Sequence, residues 1–396
     1  MDKTNAPSMI DFSLGSLLVA ILIAGPFGYW AMHANGSLAQ AKDALRETPA
    51  LSKDWPLFRG NTLQTGVAGT TLPDKLEIRW KLDLKKGIES TAAIVDGIIY
   101  VGCYDDHLYA IELANGNVKW KTKLGSIKAA PSVYQGKVFV GDEDSMFYCV
   151  NAADGKKLWD FECDGAITGG ANFSGDRVIF ASHDANLYCL GIADKKLIWK
   201  IKTEGPVHGS VAVANGQTFF AGCDSHLHVI DVMDGKSINK VELSGQTAAT
   251  ASFGGDKLYV GNMNNEVQAI DIKGQKVQWA YTSKRAPNPF YSSPAITDKL
   301  VVIGSRDRKL HAIKRSDGSS AWVFSGDGWI ESSPVIAGNR VYVGSNKGTF
   351  YVIDLEKGTE VQALLLGEGI TASPAVANEC LVIGTTDGLL YCLGKK

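Results

Sequence analysis

The densest group of potential metal ligands in this 396-residue chain is Cys223-Asp224-Ser225-His226-Leu227-His228. Residues two apart share one face of a strand, so His226 and His228 could present two imidazoles beside a thiol, a set suited to a soft metal. Both histidines, however, coincide with slots of a longer repeat. His228 stands where other copies carry Tyr, and His226 stands where the first copy carries His107. The repeat accounts for them without a metal. Asp142-Glu143-Asp144-Ser145 offers calcium-type oxygens but lacks the 12-residue spacing that ends in a bidentate Glu, and reads as a hairpin turn. No glycine-rich phosphate loop, nucleophile elbow or metal-binding helix motif occurs. The seven Cys are an odd number with no Cys-x-x-Cys, which weakens zinc-ribbon, thioredoxin-like and c-type haem chemistry together. Cys149, Cys189 and Cys392 each follow a Tyr in matching contexts and read as small buried hydrophobes.

The elements that would position such residues are signalled by composition. Lys+Arg total 40 against 42 Asp+Glu, so the basic excess of a nucleic-acid binder is missing. At 45% hydrophobic and 21% charged, the chain is an ordinary globular one, which excludes wholesale disorder and a multi-span membrane protein. Gly is high at 43 while Pro is only 12, the balance expected of many tight turns rather than of linkers.

Those turns recur with a period of about 40 residues. Trp80, Trp120, Trp159, Trp199, Trp279 and Trp322 mark one register, with Asn239 and Gln362 in its two remaining slots. Tyr109, Tyr148, Tyr188, His228, Gln268, His311, Tyr351 and Tyr391 mark a second, and Ser90, Ala129, Gly169, Gly209, Ala249, Ser292, Ser332 and Ala372 a third. All three carry the same three-residue insertion in the sixth unit. Each unit reads as four short strands: one after the small residue, a turn such as Asp96-Gly97, an apolar run such as 98–102, the Tyr/His strand, and the Trp strand. The last unit holds only three strands, and residues 76–83 form a Trp-bearing fourth strand with nothing before it. Each end supplies what the other lacks. The fold expected is therefore all-β, an eight-bladed β-propeller of four-stranded antiparallel blades over 76–396, closed by pairing both chain ends.

Residues 12–32 contain no charged side chain and include the run Leu17 to Ala24, long enough to cross a hydrocarbon core of ~30 Å as one helix. This segment is expected to be a transmembrane or signal anchor, after a tail at 1–11 and before a linker and lead-in segment at 33–75. The propeller is then expected on the periplasmic or exported side of a cell membrane, in contact with membrane or envelope proteins.

The segments Ala110-Ile111-Glu112-x-x-x-Gly116-x-x-x-Trp120 and Asp154-Gly155-Lys156-Lys157-Leu158-Trp159 resemble the tryptophan-docking motif of quinoprotein (PQQ-type) propellers. Asp54-Trp55-Pro56-Leu57-Phe58-Arg59-Gly60 resembles the lead-in of bacterial members of that group. The resemblance implies that the six Trp pack between neighbouring blades, and that the junctions at Asn239 and Gln362 are made differently. In the dehydrogenases of the family a quinone and Ca²⁺ lie at the mouth of the channel, with an adjacent-cysteine disulfide that this chain lacks. The residues before each first strand should rim that channel: Glu89, Lys128, Thr168, His208, Ala248, Tyr291, Glu331 and Thr371. With Glu89 and Glu331 placed about half a ring apart and no Trp among the eight, the rim is not expected to hold a metal or cofactor. The chain is more similar to the exported, BamB-like members of the group, accessory proteins of outer-membrane β-barrel assembly, although no Cys precedes residue 103 to carry a lipid. The implied function is a non-catalytic protein-interaction scaffold; a small-ligand or sensor propeller and a PQQ-dependent enzyme are the alternatives.

On the face that holds the rim, the first four units carry Asp105, Asp106, Asp142, Glu143, Asp144, Asp184 and Asp224, while later units carry Lys284, Arg285, Arg306, Arg308, Lys309 and Lys347. Sequence order is ring order, so half of the face should be acidic and half basic. The partner is expected on the basic half, at Lys284, Arg285, Phe290, Arg306 and Arg308, where two Pro stiffen the inserted loop.

Overall fold

The computed structural model describes residues 51–283 and 288–396. The anchor at 12–32 and the partner-face residues Lys284 and Arg285 lie outside them; among the described residues no helix is long and apolar enough to cross a membrane.

Eight four-stranded antiparallel sheets follow one another around the ring. Blade 1 begins with the inner strand Ala93–Val95, blade 2 with Ser132–Tyr134, blade 3 with Asn172–Ser174 and blade 4 with Ala212–Ala214. Blades 5 to 8 begin with Ser252–Gly254, Ala295–Ile296, Val335–Ala337 and Ala375–Ala377. Inner strands pack at the axis, where little room exists: a Cβ on Gly169 would stand 2.7 Å from the Gly209 carbonyl oxygen. This crowding is why the third register holds only Gly, Ala and Ser. The turns after the inner strands place both Asp96 and Gly97 at positive φ (50° and 73°), which fits the right-handed twist of a two-residue hairpin.

Blades seal against one another through apolar faces and one repeated polar contact. A one-residue bulge just before the Trp slot interrupts the outermost strand in all eight sheets and re-aims that side chain. The indole N–H then donates to a carbonyl of the next blade: Trp80 to Leu113 at 2.9 Å, Trp120 to Ala152 at 3.1 Å, Trp159 to Ile192 at 3.1 Å and Trp199 to Val232 at 2.8 Å. Trp279 reaches Arg315 at 3.1 Å and Trp322 reaches Leu355 at 2.9 Å. Asn239 keeps a 3.3 Å version of this bond, to Ile272. Gln362 makes two, donating to the Leu76 carbonyl at 2.8 Å and accepting from the Leu76 N–H at 2.9 Å.

The ring closes between its two ends. Glu77–Asp83 pairs antiparallel with Leu389–Gly394, so the first strand of the described residues becomes the outermost strand of blade 8. Blade 8 in turn packs its inner strand against that of blade 1.

The stretch preceding the first strand belongs to this disc rather than to a spacer. Residues 53–68 run across the exit ends of the inner strands and bond to each blade in ring order. Trp55 exchanges two backbone bonds with Ile94, and Pro56 accepts from Val133. Thr62 accepts from Asn172 and Val213, Leu63 from Phe253, and Thr65 from Ile296. Ile336 donates to Gly66 and accepts from Ala68, while Lys53 accepts from Asn378 of blade 8. Arg59 lies wholly buried within this plug and donates to the Pro294 carbonyl at 2.9 Å. Burial pulls its pKa down to about 9, which still leaves it charged at neutral pH.

Candidate functional site

Because 53–68 crosses one end, the central channel is blind. Its remaining end is a mouth opening into a cavity of 590 Å³ with Phe58 of the plug among its walls. All eight ring positions expected at the rim line this cavity: Glu89, Lys128, Thr168, His208, Ala248, Tyr291, Glu331 and Thr371. They share one end because each sits where a loop turns into an inner strand.

Two ion pairs dominate the mouth. Lys128 Nζ lies 3.1 Å from Glu89 Oε2 across blades 1 and 2. Arg306 Nε donates to Glu331 Oε1 across blades 6 and 7. The Arg306 guanidinium also lies 4.0 Å from the Tyr291 ring centroid and 5.1 Å from that of Trp329, a cation held by two aromatic faces. Glu143, exposed at the same mouth, accepts from Ser126 Oγ at 3.1 Å. The Tyr104 hydroxyl is pushed up by burial and then by the Glu89 and Glu143 carboxylates, so it stays protonated.

On blades 3 and 4 the mouth carries a histidine pair. His183 Nε2 lies 2.8 Å from His208 Nδ1 and 2.8 Å from Thr168 Oγ1, with the rings edge to face at 4.2 Å. Burial lowers the His183 pKa to about 4, helped by His208 and Lys128; burial and then Lys128 lower that of His208. Two neutral imidazoles therefore share one N–H···N bond at neutral pH. The sign of the pH effect follows. An unfolded chain takes up protons on this pair below about pH 6.5, whereas the folded one does so for His183 only near 4, so stability is lost as pH falls through that window. The melting temperature of the wild-type chain should decline from pH 7 to 4.5 more steeply than that of His183→Gln. Parallel declines would show that the pair is not a source of acid sensitivity.

Below the rim a belt of hydroxyls circles the axis. Ser210 Oγ accepts from the Gly170 N–H at 2.8 Å, Thr250 Oγ1 from Ser210 at 2.8 Å and Ser293 Oγ from Thr250 at 3.0 Å. Ser333, Ser373 and Thr91 continue it, accepting from Ser293, Ser333 and Ser373 at 2.9, 3.0 and 3.1 Å. Each hydroxyl ties its blade to the one before, and all six line the cavity.

Several expected placements are corrected. Closure of the ring puts Glu331 on blade 7 and Glu89 on blade 1, two positions apart with Thr371 of blade 8 between them, not half a ring apart. Phe290 is no surface aromatic. It is 1% exposed, and its Cβ lies 2.5 Å from where a Cβ on Gly261 would stand, as Ile127 and Ile330 stand over Gly102 and Gly304 in other blades. Arg306 belongs to the channel mouth, while Arg308 is exposed beside it. The acidic half of the face is also thinner than its count implies. Asp105, Asp142 and Asp184 accept from Tyr109, Tyr148 and Tyr188 at 2.5, 2.8 and 2.5 Å, and Asp224 lies 2.7 Å from His228 Nε2. These carboxylates also cap their own turns, as Asp142 does for the N–H groups of Asp144 and Met146. In the Cys223–His228 group, Asp224 thus holds His228, and His226 Nδ1 lies 2.6 Å from the Asp224 carbonyl. Among the described residues no three His, Cys, Asp or Glu side chains gather as a metal site.

Sequence reasoning missed Phe58, His183, Trp329 and the hydroxyl belt. The belt had a signal: Thr91, Ala130, Gly170, Ser210, Thr250, Ser293, Ser333 and Ser373 stand two residues after the ring positions, in the same 40-residue register.

The profile of the family described as outer membrane protein assembly factor BamB matches residues 74–166, 148–289 and 266–396. No curated protein matches the chain. Among solved structures, BamB from Moraxella catarrhalis superposes with a TM-score of 0.70 at 17% identity, covering 81% of this chain and 98% of that one. The quinohemoprotein alcohol dehydrogenase of Comamonas testosteroni superposes at 0.76 with 14% identity, covering 91% and 85%. That of Pseudomonas putida gives 0.74 at 13%, covering 90% and 81%. At these identities the likeness shows the fold alone.

Proposed function

We propose, from the premise that the chain belongs to the family of outer membrane protein assembly factor BamB, that it is a non-catalytic propeller whose open face holds other proteins. The observation that carries this reading is that the carboxylates at the mouth are already engaged. Glu89 is taken by Lys128, Glu331 by Arg306 and Glu143 by Ser126. A quinone with Ca²⁺, which the dehydrogenase fold implies, does not fit this donor set. Calcium needs six to eight oxygens, and here two of the three acids, Glu89 and Glu331, face cations. Tyr291 and Trp329 lie against Arg306 instead of presenting a free ring to stack on. What the face does offer is a rim of fixed charges around a half-exposed Trp329, a residue type enriched where proteins meet. On this reading, segment 12–32 holds the protein to a membrane with the propeller on its exported side.

The test is capture from membranes with the full-length chain as bait, in parallel with PQQ and Ca²⁺ added to the purified protein. Trp329→Ala with Arg308→Glu should lose the partners that the wild type brings down, and the loss should be greater at low salt, where exposed charges steer beyond the ~8–10 Å reached at 0.1–0.15 M salt. The purified protein should take up no stoichiometric PQQ and oxidise no alcohol with an artificial acceptor. An unchanged partner set would remove this face as the docking surface, and stoichiometric PQQ would remove the non-catalytic reading.

A further inference from the structure

The blind cavity carries hydrogen-bond donors that the protein itself does not use. In the belt, each residue's N–H donates to a hydroxyl on the next blade, and that hydroxyl keeps its own proton. No protein acceptor takes those protons among the described residues. The chain of bonds breaks at one place, where blades 2 and 3 carry Ala130 and Gly170 instead of Ser or Thr. There the N–H groups of Thr91 and Ala130 have no hydroxyl to meet, although both residues are at least nine-tenths buried and both line the cavity. Leaving a buried N–H unpaired is costly, and native structures rarely do so without water or a ligand. The Thr91 hydroxyl, having accepted from Ser373, adds a third donor beside these two. Lys128, two residues before Ala130 on the same blade, stands at the rim with its charge paired to Glu89.

We propose that this break is a carboxylate site. Its donors are the Thr91 and Ala130 N–H groups and the Thr91 hydroxyl, and it takes a ligand that enters the blind channel end-on with a single carboxylate leading. Three donors on the neighbouring inner edges of blades 1 and 2 suit the two oxygens of a carboxylate, which accepts about four hydrogen bonds. A dianion is disfavoured. The mouth holds Glu89, Glu143 and Glu331 against Lys128 and Arg306, with the histidine pair neutral, a balance of −1 from 2 − 3 that opposes any anion and opposes a dianion about twice as strongly as a single carboxylate, so the donors themselves must hold the ligand. A cavity of 590 Å³ admits either a small free organic acid or the last few residues of a peptide chain. The site stands on the belt geometry alone and does not depend on the scaffold reading.

The full-length protein would be titrated calorimetrically with propionate, with N-acetyl-trialanine as its free acid, and with the same peptide as its C-terminal amide. The free acid should bind about tenfold or more tightly than the amide, the range that a hydrogen bond to a charged group commands. Propionate binding as tightly as the peptide acid would mark a free acid as the natural ligand; a peptide acid that binds tighter by a similar factor would mark a chain end. Ala130→Ser restores the hydroxyl that six other blades carry and gives the Thr91 N–H its partner. This variant should melt no lower than the wild type yet lose acid binding by about tenfold or more. Equal binding of acid and amide, no binding of either, or binding unchanged in a folded Ala130→Ser would each overturn the proposal. Should Ala130→Ser fail to fold, the acid–amide comparison on the wild type still decides. Neither outcome bears on membrane capture, so this site and the scaffold reading fail separately.

Discussion

A chain shortened to begin at Leu84 is expected to lose its cooperative melting transition, while one beginning at Leu51 keeps it. The shorter chain lacks the outermost strand of blade 8, the six-pair register of Glu77–Asp83 with Leu389–Gly394, and the whole plug. Trp55, Leu57 and Leu76, at 1%, 3% and 1% exposed, leave with it. Fully burying such side chains stabilises by ~1.5–3 kcal/mol each. The deletion also strips partners from backbone groups on six of the eight inner strands, from the Asn172 side chain of blade 3 and from the Asn378 N–H just after the inner strand of blade 8, at a cost of about 1–3 kcal/mol for each one left buried and dry. Together these losses approach or exceed the ~5–15 kcal/mol by which a protein of this kind is stable. An intermediate chain beginning at Lys75 keeps the closing strand but not the plug, and should melt between the other two. Calorimetry would measure all three. If the chain from Leu84 melted within a few degrees of that from Leu51, neither closure nor plug would be holding the disc together.

The contrast between closing strand and plug shows where sequence was informative. The strand was readable because its Trp80 falls in a register shared with five other Trp and because three strands at the C-terminus lack a fourth. The plug was not, since its bonds to the blades run almost wholly through backbone N–H and C=O groups, which any residue carries. A run such as Leu57 to Ala68 has no alternation and no repeat to announce that it lies at the centre of the molecule. Phe290 was misplaced for a different reason. Proximity to charged and Pro residues suggested a surface loop, yet its position one residue before Tyr291 is that of Ile88, Ile127, Ile167 and Ile330 in other units. The paired Asp residues show a third limit. Counting charge along the chain treats each as solvated, whereas Asp105, Asp184 and Asp224 stand four residues before a Tyr or His of the next strand, and the turn aims each at that partner. The error over Glu89 and Glu331 was one of order: a closed ring brings its seventh and first members close, and linear distance hides that.

The same registers fix what substitution at the blade junctions should do, and in which order. Trp199 is 8% exposed, packs one face against the turn at Gly235 and donates to Val232 of the next blade. At Gly235 a side chain is excluded twice, by a φ of 73° and by the indole, 2.8 Å from where its Cβ would stand. Trp199→Ala therefore opens a cavity between two blades and leaves the Val232 carbonyl with Arg177 as its one remaining side-chain donor, a loss of about 3–5 kcal/mol. For a domain this large that corresponds to a fall of roughly 5–10 °C in melting temperature. Trp159→Ala should be similar, because that ring also packs on Phe139 and Phe147. Gln362→Ala removes little apolar volume, but it strands both backbone groups of the buried Leu76, at about 1–3 kcal/mol for each. Asn239→Ala gives up one long bond to Ile272, a loss of about 0.5–1.5 kcal/mol, and should come last. The expected order of melting temperatures is thus Asn239→Ala highest, with Gln362→Ala and the two Trp variants well below it. Equal losses at all four positions would mean that the register marks a sequence habit rather than one load carried from blade to blade.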